Sequence, residues 1–325
     1  MRAITITKPG GPAVLALVER PDPEPSRGEV RVRVRATAVN RADILQRMGA
    51  YPAPADSPPD IPGLEIAGEV AALGPGVERL AVGDRVFGIV GGGGYADAVV
   101  AHERALARMP DNMSFEDAAA VPEAFITAYD AIVTQGQLAT GETLLVHAAG
   151  SGVGTAAIQI GRVLGCRVIG TARTQDKLDR ARELGLHVGI VPAEARFADA
   201  LHAAAPEGAN VILELVGGNY IAEDLRCVAT LGRVVLVGLM AGVKSEIELG
   251  LVLRKRARIL GTVLRARPLE EKIAAMRVFE ANVVPLFTRG LLRPIVDSVM
   301  PLADAARAHE RMQSNAGFGK IVLTA

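Results

Sequence analysis

Cysteine is nearly missing from this chain: Cys166 and Cys227 are the only two among 325 residues, and they lie far apart. Two thiols cannot build a disulfide framework or a zinc site made of cysteines. A reducing cytoplasm is the expected setting, with both thiols buried as small hydrophobes. Tryptophan is absent and aromatics are 3% of the residues, so aliphatic side chains must fill the core. Net charge is also missing, because Lys plus Arg and Asp plus Glu each number 36. No excess of either sign points to nucleic acid or to an anionic membrane. Half of the residues are apolar, yet no run reaches the roughly 18 needed to span a bilayer. The opening Met1-Arg2-Ala3-Ile4-Thr5-Ile6 reads as a strand and lacks the apolar core of a signal peptide.

Glycine is abundant, and the length suffices for two domains with sizeable cores. In the first third, 29–36 alternates valine with arginine, the period of a half-buried strand. Further strands are expected at 65–72, 85–90 and 96–100, with Gly91-Gly92-Gly93-Gly94 as a flexible turn before the last, or a loop bordering a ligand. A helix is expected over 116–133, with Ser114 as its cap. Strands and helices then alternate. Strands fall at 143–148, 167–171, 188–191, 211–215, 233–237 and 258–263; helices fall at 153–164, 177–184, 197–205 and 221–229. Parallel strands joined by crossover helices form a doubly wound sheet. The tail predicts helices at 269–288 and 302–312 and a strand at 320–323.

The strand at 143–148 runs into Ala149-Gly150-Ser151-Gly152-Val153-Gly154 and then a helix. Small residues there let backbone N–H groups approach a pyrophosphate, and the helix N-terminus adds positive potential. The dinucleotide fingerprint wants glycine where Ala149, Ser151 and Gly154 stand, so two of three are substituted, although Gly152 adds another. The next strand ends in Thr171-Ala172-Arg173-Thr174-Gln175-Asp176-Lys177, with no acid to hold a ribose 2′-hydroxyl. Arg173 and Lys177 could instead pair with a 2′-phosphate. NADPH is therefore the expected cofactor. The five histidines share no ligand spacing, and no metal site is expected.

Several stretches together carry a family likeness. They are Lys8-Pro9-Gly10-Gly11-Pro12, Asn40-Arg41-Ala42-Asp43, Gly63-Leu64-Glu65, Val121-Pro122-Glu123-Ala124, 151–159 and Gly319-Lys320-Ile321-Val322-Leu323. With them the chain resembles the medium-chain dehydrogenase/reductase superfamily along its full length. Within it the likeness is to the zeta-crystallin-like quinone oxidoreductases, on their tumour-suppressor-inducible branch. The resemblance implies an α/β fold: a GroES-like β-rich domain over 1–120 and 262–325, and a Rossmann domain over 121–261, with the active site in the cleft between them. Zinc members of the superfamily carry an early Cys and a His in Gly-His-Glu, where this chain has Asn40 and Leu64, and the four-Cys zinc lobe is missing too.

By the same resemblance, Asn40, Glu123 and Thr127 lie near the nicotinamide. Val216, Gly217, Gly238, Leu239 and Leu264 line the cofactor path, and Phe318 and Lys320 return to the nicotinamide end. Tyr51 sits at the substrate mouth. The implied activity is metal-free hydride transfer to a quinone, with Tyr51, and Asn40 after it, orienting the acceptor and with no obligatory acid–base residue. Two other activities stay open: reduction of an enoyl or α,β-unsaturated ketone, and cofactor binding without catalysis in a crystallin- or sensor-like role. A homodimer is expected through the edge strand 258–263.

Overall fold

A computed structural model describes residues 1–325. The chain opens with a hairpin of β1 (Arg2–Ile6) and β2 (Leu15–Glu19), then β3 (Glu29–Ala38) and α1 (Arg41–Arg47). Strands β4 (Glu65–Leu73), β5 (Arg85–Ile89), β6 (Ala98–His102) and β7 (Leu106–Arg108) follow. The expected helix over 116–133 is broken into α2 (Phe115–Ala119), α3 (Pro122–Tyr129) and a π-helical turn at Asp130–Gln135. Proline has no N–H to continue a helix but tolerates its first position, so Pro122 ends one helix and starts the next. Ser114 does cap α2, its Oγ accepting from Asp117 N at 3.1 Å.

Next come β8 (Thr143–Val146), α4 (Gly152–Val163), β9 (Arg167–Thr171), α5 (Gln175–Arg182) and β10 (Val188–Ile190). They are followed by α6 (Ala198–Ala204), β11 (Ala209–Glu214), α7 (Tyr220–Cys227), β12 (Val228–Leu236), α8 (Leu249–Lys255) and β13 (Arg258–Gly261). The tail holds α9 (Leu269–Asn282), α10 (Val284–Thr288), β14 (Val296–Pro301), α11 (Ala305–Ser314) and β15 (Lys320–Thr324). The single helix expected over 269–288 is two, because Pro285 stands in the first turn of the second. The elements β2, β7, β14, α1 and α8 are not among those expected.

The chain divides into two compact units. One comprises Met1–Ile126 with Leu264–Ala325, the other Thr127–Val263. In the first, strands run in the order β14-β15-β3-β4-β5-β7, and β6 also pairs with β3. Val30, Val32 and Val34 point into its core, as the alternation predicts. The glycine run at 91–94 is packed rather than loose: Gly92, Gly93 and Gly94 are buried, and Tyr95 to Asp97 bond to the first strand. That bonding delays β6 to residue 98.

In the second unit all six strands are parallel, ordered β10-β9-β8-β11-β12-β13. This is the doubly wound Rossmann order, whose sheet order reverses between β8 and β11. The central residues of these strands are apolar and buried, as in 144–146, 168–169 and 211–213, because helices cover both faces. Cys166 and Cys227 are both free and buried. No helix is long and apolar enough to cross a membrane.

Candidate active site

The Rossmann unit builds a turn where the order reverses. After β8 the chain passes Ala148, at a φ of 48°, and reaches Ser151, whose Oγ accepts from Gly154 N at 3.0 Å. This caps α4 and leaves the N–H groups of Gly152 and Val153 without a protein partner. A Cβ on Gly154 would meet the Ala148 carbonyl oxygen at 2.4 Å, so only glycine lets helix and turn approach this closely. Two orphan donors at the positive end of a 12-residue helix suit an anion.

Strand β9 ends beside this turn. Its last residue, Thr171, is buried, and its Oγ1 lies 2.8 Å from His147 Nδ1. Its carbonyl accepts from Ala149 N. Thr171 thus pins the strand end, and its hydroxyl is committed to the core. Arg173 is exposed and Lys177 half-buried in the first turn of α5. After β11, Glu214 Oε1 accepts from the N–H groups of Val216 and Gly217, the latter at 2.8 Å. Gly217 has a φ of 74° and bridges to Gly242. Gly238 follows β12, with Leu239 exposed beside it. Thr127 is buried on α3.

Beneath these turns lies a group that spacing could not reveal. His147 Nε2 is 2.8 Å from Asp224 Oδ1 and 3.7 Å from Glu214 Oε2, with all three side chains fully buried. Glu214 Oε2 and Asp224 Oδ2 have no hydrogen-bond partner. Burial pushes the Glu214 carboxyl up to about 7 and the Asp224 carboxyl up to about 8, and it pushes the imidazole down. These directions fit protons held on the acids beside a neutral ring. One ligand atom from each residue lies within 4.8 Å of the others, so the expectation that no potential ligand set exists is corrected. The residues come from β8, β11 and α7, which no short sequence motif can join.

The other unit builds a second polar group around Asn40, which precedes α1. Asn40 N donates to Asp43 Oδ2 at 2.8 Å, and Asn40 Nδ2 donates to Glu65 Oε1 at 2.8 Å. The Lys320 ammonium lies among Val39 O at 3.1 Å, Asn40 Oδ1 at 2.6 Å and Glu65 Oε1 at 2.7 Å. Glu65 Oε2 accepts from Glu123 N at 2.8 Å. Burial and the Glu65 carboxylate push the Glu123 carboxyl up to about 8. Asp43, pushed up to about 6 by burial, accepts from Gly63 N and from Tyr95 OH, which also meets His309. Arg265 donates to Gly91 O, Tyr51 O and Gln46 Oε1, and its guanidinium stacks 5.2 Å from the Tyr51 ring centre. Burial raises the Tyr51 phenol above its ordinary value. Leu264 and Phe318 are buried, and Phe318 N donates to Asp297.

The structure therefore gathers Asn40, Glu123, Lys320 and Tyr51 in one unit, and the glycine turn with Thr171, Val216 and Gly217 in the other. Sequence reasoning passes over Glu65, Asp43, Gln46 and Arg265. Glu65 and Asp43 stand inside stretches singled out for resemblance, and the Asn-x-x-Asp spacing of 40–43 is a capping pattern that could have flagged Asp43.

Two family models match the chain: the alcohol dehydrogenase GroES-like domain over residues 26–111 and the zinc-binding dehydrogenase domain over 152–280. The quinone oxidoreductase of Lama guanicoe is 34% identical over 99% of this chain and 97% of its own length. A segment of the polyketide synthase GfsB of Streptomyces halstedii is 38% identical over 91% of this chain, which spans 5% of that protein. The Escherichia coli quinone oxidoreductase complexed with NADPH superposes with a TM-score of 0.90, at 29% identity and full coverage of both chains. The chain belongs to the medium-chain dehydrogenase/reductase family and is an oxidoreductase of that family.

Proposed function

We propose that this chain is an NADPH-dependent quinone reductase that works without a metal. The observation that carries the reading is the turn from β8 to α4, with two unpartnered N–H donors, set beside a strand end that bears Arg173 and Lys177 and no acid. Gly152, Val153 and Gly154 would receive the pyrophosphate, with Ser151 holding the turn. Thr171 would fix the strand that presents Arg173 and Lys177 to a 2′-phosphate. Val216, Gly217, Gly238, Leu239, Thr127 and Leu264 would line the path of the cofactor, which supplies a hydride when bound. Asn40, Glu123, Phe318 and Lys320 would stand at the nicotinamide end, and Tyr51 would orient the acceptor.

Zinc, implied by the description of one family model, does not suit the residues of the first unit. The amide of Asn40 and one oxygen of Glu65 already hold the Lys320 ammonium, and a dication there would face that charge. No step is assigned to a metal. Zinc analysis of the purified protein tests this, and stoichiometric zinc would direct attention to His147, Glu214 and Asp224.

A second reading, reduction of a conjugated enone, is favoured by the match to a segment of a polyketide synthase. The electronics are shared, since a hydride goes to an electron-poor conjugated carbon. One assay separates the readings: loss of NADPH absorbance with a quinone panel, with enones, and with no acceptor. Turnover of enones alone would overturn quinone reduction. Binding without turnover would favour the crystallin- or sensor-like role. The proposal includes a cytoplasmic location, in keeping with two buried free thiols. It also includes a homodimer through β13, an edge strand paired only with β12 and followed by exposed Val263. A monomer in sedimentation at micromolar concentration would contradict the dimer.

A further inference from the structure

Around Tyr51, four groups could give a proton to an acceptor; two are committed to hydrogen bonds and a third is a weak acid. The Lys320 ammonium has three hydrogens and three acceptors: Val39 O, Asn40 Oδ1 and Glu65 Oε1. The Arg265 guanidinium donates to Gly91 O, Tyr51 O and Gln46 Oε1, and a guanidinium does not give up its charge. The Tyr51 phenol is made a weaker acid by burial. Glu123 is different. Its backbone N–H is anchored on Glu65, its carboxyl makes no hydrogen bond or ion pair, and it is partly open to solvent. It acts electrostatically on both Tyr51 and Arg265, so it belongs to the same group.

We propose that Glu123 is the general acid of this site, giving its carboxyl proton to the acceptor oxygen that gains negative charge. This role rests on the reading of the chain as a quinone reductase. The acceptor gains a hydride from the reduced nicotinamide at one atom, and the electron pair displaced through the conjugated system settles on an oxygen as O⁻. An O–H bond forms there as the O–H bond of Glu123 breaks. The resulting carboxylate regains a proton from water. Burial, and after it the neighbouring Glu65 carboxylate, pushes this carboxyl up to about 8, so the resting acid holds its proton near neutral pH. A general acid works best when its pKa lies near the working pH.

The test compares the native chain with Glu123→Gln, which keeps the shape and removes the acidic proton. With NADPH and benzoquinone, kcat should fall about 100-fold, within the range general acids contribute. The Michaelis constant for NADPH should stay within about threefold, and Glu123→Asp should recover part of the rate. The native kcat should decline as pH rises past about 8, and the variant should lose that limb. Tetrachlorobenzoquinone, whose hydroquinone is a stronger acid and needs less help, should lose only about tenfold. Infrared titration of the chain without cofactor should show carboxyls losing protons between about pH 6 and about pH 10, and Glu123→Gln should lack one of these bands while those of Glu214 and Asp224 remain. Variant activity within about twofold of native, equal losses on both quinones, or the same titrating bands in native and variant would overturn the role of Glu123 alone. A native enzyme inert toward both quinones would overturn the proposed function and this role with it.

Discussion

The two buried polar groups of this protein solve one problem in opposite ways. In the GroES-like unit, the Glu65 carboxylate is matched by an ammonium, an amide and a backbone N–H. In the Rossmann unit, Glu214 and Asp224 share a site with a neutral imidazole, and each keeps one oxygen without a partner. A buried carboxylate is tolerated as an anion only where a cation and donors compensate it; otherwise it holds its proton. The first arrangement sets a cation against the Glu65 carboxylate; the second gives its two carboxyls no cation.

Breaking the compensation should have the largest effect. Lys320→Met leaves Glu65 buried without its cation, a loss that typically costs about 3–5 kcal/mol. Denaturant unfolding should report that drop, and a loss under about 1 kcal/mol would show that the ammonium is not what compensates Glu65.

Exposed Arg173 and half-buried Lys177, which follow β9, are better solvated, and they bear on cofactor choice rather than stability. Charge-assisted bonds contribute about 1.5–3 kcal/mol each before solvent discounts them. Arg173→Ala with Lys177→Ala should therefore cut the preference for NADPH over NADH by roughly 10- to 1000-fold. The Michaelis constant for NADH should barely move. The native preference should also shrink as salt rises. A double variant that keeps its preference would show that other residues hold the phosphate.

The uncompensated acids should show in the pH dependence of stability. Glu214 and Asp224 have folded values of about 7 and about 8, above the unfolded range near 4. The folded state then binds more protons than the unfolded one, so their contribution is complete below about pH 4 and is lost as pH rises to about 8. Asp224→Asn should flatten that fall and be more stable than native, by about 1 kcal/mol, at pH 9. An unchanged slope would place the titration elsewhere.

The smallest effect is local. Ser151→Val removes the cap on α4, worth about 1 kcal/mol, and puts bulk beside the N–H groups of Gly152 and Val153. Thermal unfolding should shift modestly and NADPH binding should weaken; unchanged binding would show that the side chain points away from the cofactor.

Much of the Rossmann unit is legible in the residues themselves. The strand expected at 167–171 is found there, and the small-residue turn at 149–154 lies where strand gives way to helix. Helix lengths are less legible wherever proline intervenes, at Pro122 and Pro285. There the apolar period continues, but the hydrogen-bond ladder cannot. Position alone suggests Thr171 as a ligand contact, and the structure gives its hydroxyl to His147.

By itself the sequence determined what depends on neighbours along the chain. It set the alternation of strand and helix, the glycine turn, the acid-free end of the second Rossmann strand and the lack of a cysteine framework. Periodicity and capping act over a few residues, so one chain suffices to read them. Tertiary structure alone decided the state of the buried charges. Asn40, Glu65, Glu123 and Lys320 meet from distant parts of the chain, as do His147, Glu214 and Asp224. Whether an acid keeps its proton depends on the water removed and the charges brought near, and folding supplies both.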